Sequence, residues 1–109
     1  MGVDNVKNYA SCIQACQACA TDCENCLHQM LNKESDNDCP ACCRTCLDIC
    51  ILCAQESARN GRFIAEICQL CEKICTWCAE QCEAHDHDHC RECAKSCRAC
   101  AEECRKVAA

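Results

Sequence analysis

The chain has 109 residues, a formal charge of −6 and 17 acidic against 11 basic residues, which fits one domain and disfavours nucleic acid as a partner. Twenty-one residues are cysteine and there is one each of Trp, Tyr and Phe, so the conventional core is lean and bound metal is expected to supply part of the stability. The stretch from Met1 to Cys12 lacks the basic segment and apolar run of a signal peptide, and no segment approaches membrane-spanning length, so a soluble, cytoplasmic protein is expected.

The first predicted element is a helix over about residues 4–33. Its cysteines, Cys12, Cys16, Cys19, Cys23 and Cys26, are three or four residues apart and therefore stand on one face. That seam extends to Tyr9 at one end and Met30 at the other, and Ile13, Ala20, Leu27 and Leu31 widen it. The polar run from Lys33 to Asp38 forms the first loop.

A second helix is predicted over about residues 39–59, because Pro40 suits a first turn, Asp36 to Asp38 offer capping charge, and Asn60-Gly61 reads as a C-cap. Its row is Cys39, Cys43, Cys46, Cys50 and Cys53, with Cys42 outside it. Leu47, Ile49, Ile51 and Leu52 flank the row and make this the most deeply embedded helix. The third helix, over about residues 62–85, carries Cys68, Cys71, Cys75, Cys78 and Cys82. It also carries a second, apolar row of Phe63, Ile67, Leu70, Ile74 and Trp77, which reads either as packing within the chain or as a subunit interface. A linker from Ala84 to His89 leads to the fourth helix, over about residues 89–106, with Asp86 or Asp88 as N-cap. Its row is Cys90, Cys93, Cys97, Cys100 and Cys104; its other faces hold alanine and charge up to Val107.

Short loops between successive helices predict antiparallel neighbours, hence an all-α, up-down-up-down four-helix bundle as one domain over residues 1–109, with a cysteine-lined core. This topology gathers Met30, Cys39, Cys42, Cys43, His85, His87, His89 and Cys90 at one end, and Tyr9, Ile64 and Val107 at the other. His85 and His89 prolong the Cys82 seam if the third helix persists, whereas His87 and His28 point elsewhere. Helix N-termini at the same end favour thiolate at Cys39 and Cys90.

A disulfide framework is disfavoured by the odd count and by helical neighbours about 5–6 Å apart at Cβ, where a disulfide needs about 3.8 Å. Reduced thiols select Cu(I), Zn(II) or iron–sulfur clusters. The ferredoxin spacing C-x-x-C-x-x-C is absent, and structural zinc uses closed groups of four, into which an unbroken row has no natural division. Cu(I) accepts two or three thiolates, and a linear S–Cu–S unit of about 4.6 Å can be closed by an i, i+4 pair. One Cu(I) per bridged thiolate is neutral, which points to on the order of 10–20 ions per chain. All 21 cysteines are candidate ligands, with Met30, His85 and His89 as weaker ligands where ions must arrive and move on.

An enzyme is not expected. The inward Glu and Glu-x-x-His of di-iron bundles are missing, and no single Cys–His pair stands out as nucleophile and base. The competing readings are a metallothionein-like zinc or cadmium buffer and a copper chaperone that hands Cu(I) to a partner.

The repeated C-x-x-C-x-x-x-C rows over residues 12–104 and the linker His85-Asp-His-Asp-His89-Cys90 resemble the bacterial four-helix-bundle copper storage proteins, specifically their cytosolic branch. The resemblance implies a homotetramer whose bundles fill their cores with Cu(I), loaded from the histidine-bearing end. The adjacent pair Cys42-Cys43 departs from that family's pattern.

Overall fold

The computed structural model describes residues 2–108, with side chains from Tyr9 to Ala108. Met1 and Ala109, the ends of the expected domain, lie outside the described residues. Four helices follow one another: α1 (Gly2–Gln29), α2 (Ala41–Ala58), α3 (Ile64–Glu83) and α4 (Asp88–Ala108). Each packs its backbone against two neighbours, α1 and α3 both touching α2 and α4, while across the diagonal α2 and α4 meet through their thiols in the core, as Cys46 and Cys97 do at 3.8 Å. The result is the expected antiparallel bundle, a rod of 48 × 20 × 18 Å. No helix among the described residues is long and apolar enough to cross a membrane.

Helix ends differ from expectation for identifiable reasons. α1 stops at Gln29 because Asn32 adopts a left-handed φ of 67°, which asparagine tolerates, and reverses the chain. Leu31, expected to widen the α1 seam, is consequently 58% exposed on that turn, whereas Ile13, Ala20 and Leu27 pack against the core. α2 starts after Pro40 with no side-chain cap, so the expected capping by Asp36 to Asp38 does not occur. The Asp38 carboxylate instead accepts a hydrogen bond from the Trp77 indole at 3.2 Å, and Asn37 Oδ1 accepts one from the Cys39 amide at 3.0 Å.

At the other end of α2 the left-handed residue is Asn60, with φ of 52°, rather than Gly61. The Gly61 amide donates to the Glu56 carbonyl at 2.8 Å and the Asn60 amide to Ser57 at 3.3 Å, the paired bonds of a Schellman stop. Gly61 serves a different need: a Cβ there would lie 2.1 Å from the Glu56 carboxylate, which crosses that space to accept the Phe63 amide at 3.0 Å. The carboxylate of one helix thus caps the start of the next. α3 ends at Glu83, so His85 and His89 do not prolong its seam, and α4 opens at Asp88. Asp86 and Asp88, the expected N-caps, both pair with Arg91 instead.

The core is built from the four cysteine rows, supplemented by Met30, Leu47, Ile49, Ile64 and four alanines. α2 buries nine residues against seven each in α3 and α4, in keeping with its embedded character, although Ile51 and Leu52 remain 44% and 41% exposed. On α3 the apolar row is only half used. Ile67, Ile74 and Trp77 pack against the core, while Phe63 and Leu70 are 53% and 49% exposed. The outer seam between α3 and α4 is polar, joined by Arg98 with Glu83 and by Arg105 with Glu72.

Candidate metal centre

Spacing of three and four residues turns every cysteine of a row inward, and the bundle brings the rows together. All 21 thiols are free and at most 1% exposed. Sulfur meets sulfur across helices in successive layers. At the end remote from the histidines, Cys53 lies 3.6 Å from Cys68 and Cys104 lies 3.9 Å from Cys12. Next come Cys16 with Cys100 at 3.5 Å and Cys50 with Cys100 at 3.8 Å. In mid-rod Cys19, Cys46 and Cys97 form a triangle with sides of 3.6–3.8 Å, and Cys75 adjoins Cys46 at 3.6 Å. Cys23, Cys93, Cys43 and Cys82 follow as a chain with steps of 3.6–3.8 Å.

Cys42, which the row pattern left out, is fully buried and receives the Cys78 thiol at 3.5 Å. Its position four residues before Cys46 carried the signal, since that spacing also returns to the seam. Ser57 was missed entirely. It stands four residues after Cys53, is 1% exposed, and its hydroxyl has no partner among the described residues.

The predicted ligands at the histidine-bearing end separate into two groups. His89, carried on the first turn of α4, places Nδ1 3.4 Å from Cys26 Sγ and 3.5 Å from Cys90 Sγ, and these sulfurs are 3.7 Å apart. Met30 and Cys39 are buried in the same core, at 2% and 1% exposure. His85 is directed away from the thiols: its Nε2 bonds with Asn37 Oδ1 at 2.9 Å and Ser35 Oγ at 3.0 Å in the first loop. His87 stacks between His85 and His89, and His28 is exposed on α1.

Thiols this close share protons unevenly. Cys12 is lowered to about 5, chiefly by the hydrogen bond with Cys104, and Cys93 to about 6, chiefly by that with Cys23. Cys50 is pushed up, foremost by Cys100. At the mouth, Cys26 raises Cys39, but bonds with Cys42, Cys43 and Cys82 prevail and bring it to about 4. Cys90 goes the other way: burial, then the charge of Cys26, raises it, against the expectation of a helix-terminal thiolate.

With metal–sulfur bonds of about 2.3 Å, sulfurs sit about 3.8 Å apart around a tetrahedral ion, about 4.0 Å around a trigonal one and about 4.6 Å across a linear one. The observed spacings therefore suit three or four thiolates per ion, and a linear site on an i, i+4 pair such as Cys46 and Cys50, at 4.0 Å, needs slight opening. The thiols can be grouped in fours, with all sulfurs of a group within 4.8 Å of one another. The fours overlap, however. Cys16 and Cys104 belong both to a group with Cys12 and Cys53 and to one with Cys71 and Cys100, and Cys19 and Cys46 are likewise shared.

Residues 5–109 match the family model described as Csp, copper storage protein. An uncharacterised cysteine-rich protein of Bacillus subtilis (strain 168), YhjQ, is 41% identical over 102 residues, or 91% of this chain and 94% of that one. The Cu(I)-bound copper storage protein BsCsp3 is 40% identical with a TM-score of 0.89 over 94% of this chain and 99% of that one. A cytosolic copper storage protein from Streptomyces lividans, with five coppers, is 31% identical with a TM-score of 0.84 over 99% and 97% of the respective chains.

Proposed function

The chain belongs to the copper storage protein family, and from that premise we propose that it holds many Cu(I) ions on the thiolates of its core, as a cytosolic store. The observation that carries this reading is the column of buried free thiols, whose sulfurs lie 3.5–4.0 Å apart within clusters and are shared between groups of four that fit within 4.8 Å. Sulfur spacing alone suits zinc as well. The charge balance separates the two metals: four thiolates closed around Zn(II) carry two net negative charges indoors, whereas bridging thiolates matched one to one with Cu(I) carry none. Shared ligands also favour the ion that accepts bridges. On this balance the capacity is on the order of 10–20 ions per chain.

Loading runs through the Cys26, Cys90 and His89 cluster, with Met30 and Cys39 behind it. An incoming Cu(I) displaces thiol protons at Cys26 and Cys90, whose sulfurs are 3.7 Å apart, and the thiols that interact with Cys26 from further in, Cys43, Cys82 and Cys93, take it inward. His89, the imidazole that reaches the thiols, stands between two of them at 3.4 and 3.5 Å rather than activating one, which supports storage over catalysis. A tetramer, assembled on the half-exposed apolar row of α3, completes the proposal.

The deciding experiment is anaerobic titration of the reduced protein with Cu(I), repeated with Zn(II). Saturation at ten or more Cu(I) with retained helical circular dichroism is expected, with Cu(I) displacing Zn(II) at a higher ion-to-thiol ratio. Saturation at one or two Cu(I) would support a chaperone instead.

A further inference from the structure

At the end remote from the histidines each helix contributes one more seam residue to a closing layer. Tyr9 stands three residues before Cys12, Ser57 four after Cys53, Ile64 four before Cys68 and Val107 three after Cys104. Ile64 is buried, and Tyr9 and Val107 pack against the core. Among the described residues Ser57 is the only polar side chain in the buried core. A buried hydroxyl without a partner is destabilising, and a purely aliphatic plug would avoid that cost.

The sulfurs beneath the plug supply the missing partner once they carry metal. Cys12, Cys16, Cys53 and Cys104 hold their sulfurs within 4.8 Å of one another, and Cys68 lies 3.6 Å from Cys53. As thiols they are weak acceptors; as copper-bound thiolates they carry charge and accept hydrogen bonds well. A mid-rod thiolate can bridge ions on both sides along the axis. A thiolate of the last layer has ions on one side only and keeps more of its negative charge, facing hydrocarbon. At the opposite mouth His89 stands beside the outermost sulfurs, and at the closed end the fully buried hydroxyl is that of Ser57. It sits one helical turn from Cys53, where side chains are neighbours.

Resting on the reading of the core as a copper store, we propose that Ser57 is a positioning residue for the terminal copper cluster. Its O–H donates to the copper-bound thiolate of Cys53 and so holds the last layer of ions at the closed end.

The test compares the intact protein with Ser57→Ala and Ser57→Cys. Three quantities are measured anaerobically: Cu(I) capacity, chelator-driven release, and thermal unfolding of copper-free and loaded forms. Ser57→Ala should keep its capacity but release a minority of ions about tenfold faster, the effect of one lost hydrogen bond to a charged group. It should also raise the unfolding midpoint of the copper-free protein, by removing an unpaired hydroxyl, and lower that of the loaded one. Ser57→Cys should bind about one further ion, because the buried position 57 continues the seam of Cys53. Midpoints that shift alike in both forms, with unaltered release, would make Ser57 a packing residue and overturn the proposal. So would a Ser57→Cys variant of unchanged capacity. Saturation of the unmodified protein at one or two ions would bring down the storage reading, and this proposal with it.

Discussion

His89 and His85 are four residues apart in one linker, yet their ring nitrogens meet different chemistry. His89 reaches two thiols at 3.4 and 3.5 Å, whereas His85 is bonded to Asn37 and Ser35. Imidazole holds copper more weakly than thiolate does, so it suits a step that ions pass through. His89→Ala should therefore slow Cu(I) uptake and removal severalfold in stopped-flow chelator exchange while changing capacity by no more than about one ion. His85→Ala should leave both unchanged; equal slowing in the two variants would show that the linker acts as a unit. The distinction was not legible in the sequence, because it depends on where α3 ends. Had that helix continued through the linker, both histidines would have stood on the thiol seam. The cysteines themselves were legible, since a three-four spacing fixes the face of a helix whatever its ends do. Only Cys42 looked irregular, through its adjacency to Cys43.

At the level of the helix, the turns carried less information than the seams. Asn60-Gly61 marked the end of α2, but the two residues divide the work otherwise than the usual assignment of the left-handed position to glycine. Asn60 takes the positive φ, and Gly61 leaves room for the Glu56 carboxylate that caps α3 at Phe63. Gly61→Ala should push that carboxylate aside and free the Phe63 amide, destabilising the copper-free protein by about 1 kcal/mol, the usual effect of a lost cap. Thermal or urea unfolding of the variant checks this, and Glu56→Ala should cost a similar amount. If Gly61→Ala were neutral while Glu56→Ala destabilised, the carboxylate would have found another route to Phe63. No local pattern announces such a contact, because it joins a carboxylate in one helix to an amide seven residues later.

For the molecule as a whole, the unfinished surface is the apolar row of α3. Its inner members pack against the core, and its outer members, Phe63 and Leu70, remain about half exposed in the single chain. We expect light scattering to find a tetramer, and Leu70→Glu to lower the oligomeric state without emptying the thiol core, since that side chain is peripheral to the bundle. A monomeric unmodified protein would remove the interface. Trp77 makes a less clean probe because its indole is tied to Asp38.

The overlap of the thiol groups has a consequence for what is stored. Because Cys16, Cys104, Cys19 and Cys46 each belong to more than one group of four, no ion owns its ligands, and an ion can change partners by gaining a new sulfur before losing an old one. The contents then behave as a mixed reservoir rather than a filing rack. Protein half-filled with one copper isotope and topped up with a second should release both in the proportion loaded, as mass spectrometry of successive chelator fractions would show. Preferential release of the later isotope would mean that ions keep their places in line. In a mixed reservoir the cell withdraws copper without regard to when it was deposited, and the age of an ion is forgotten inside the protein.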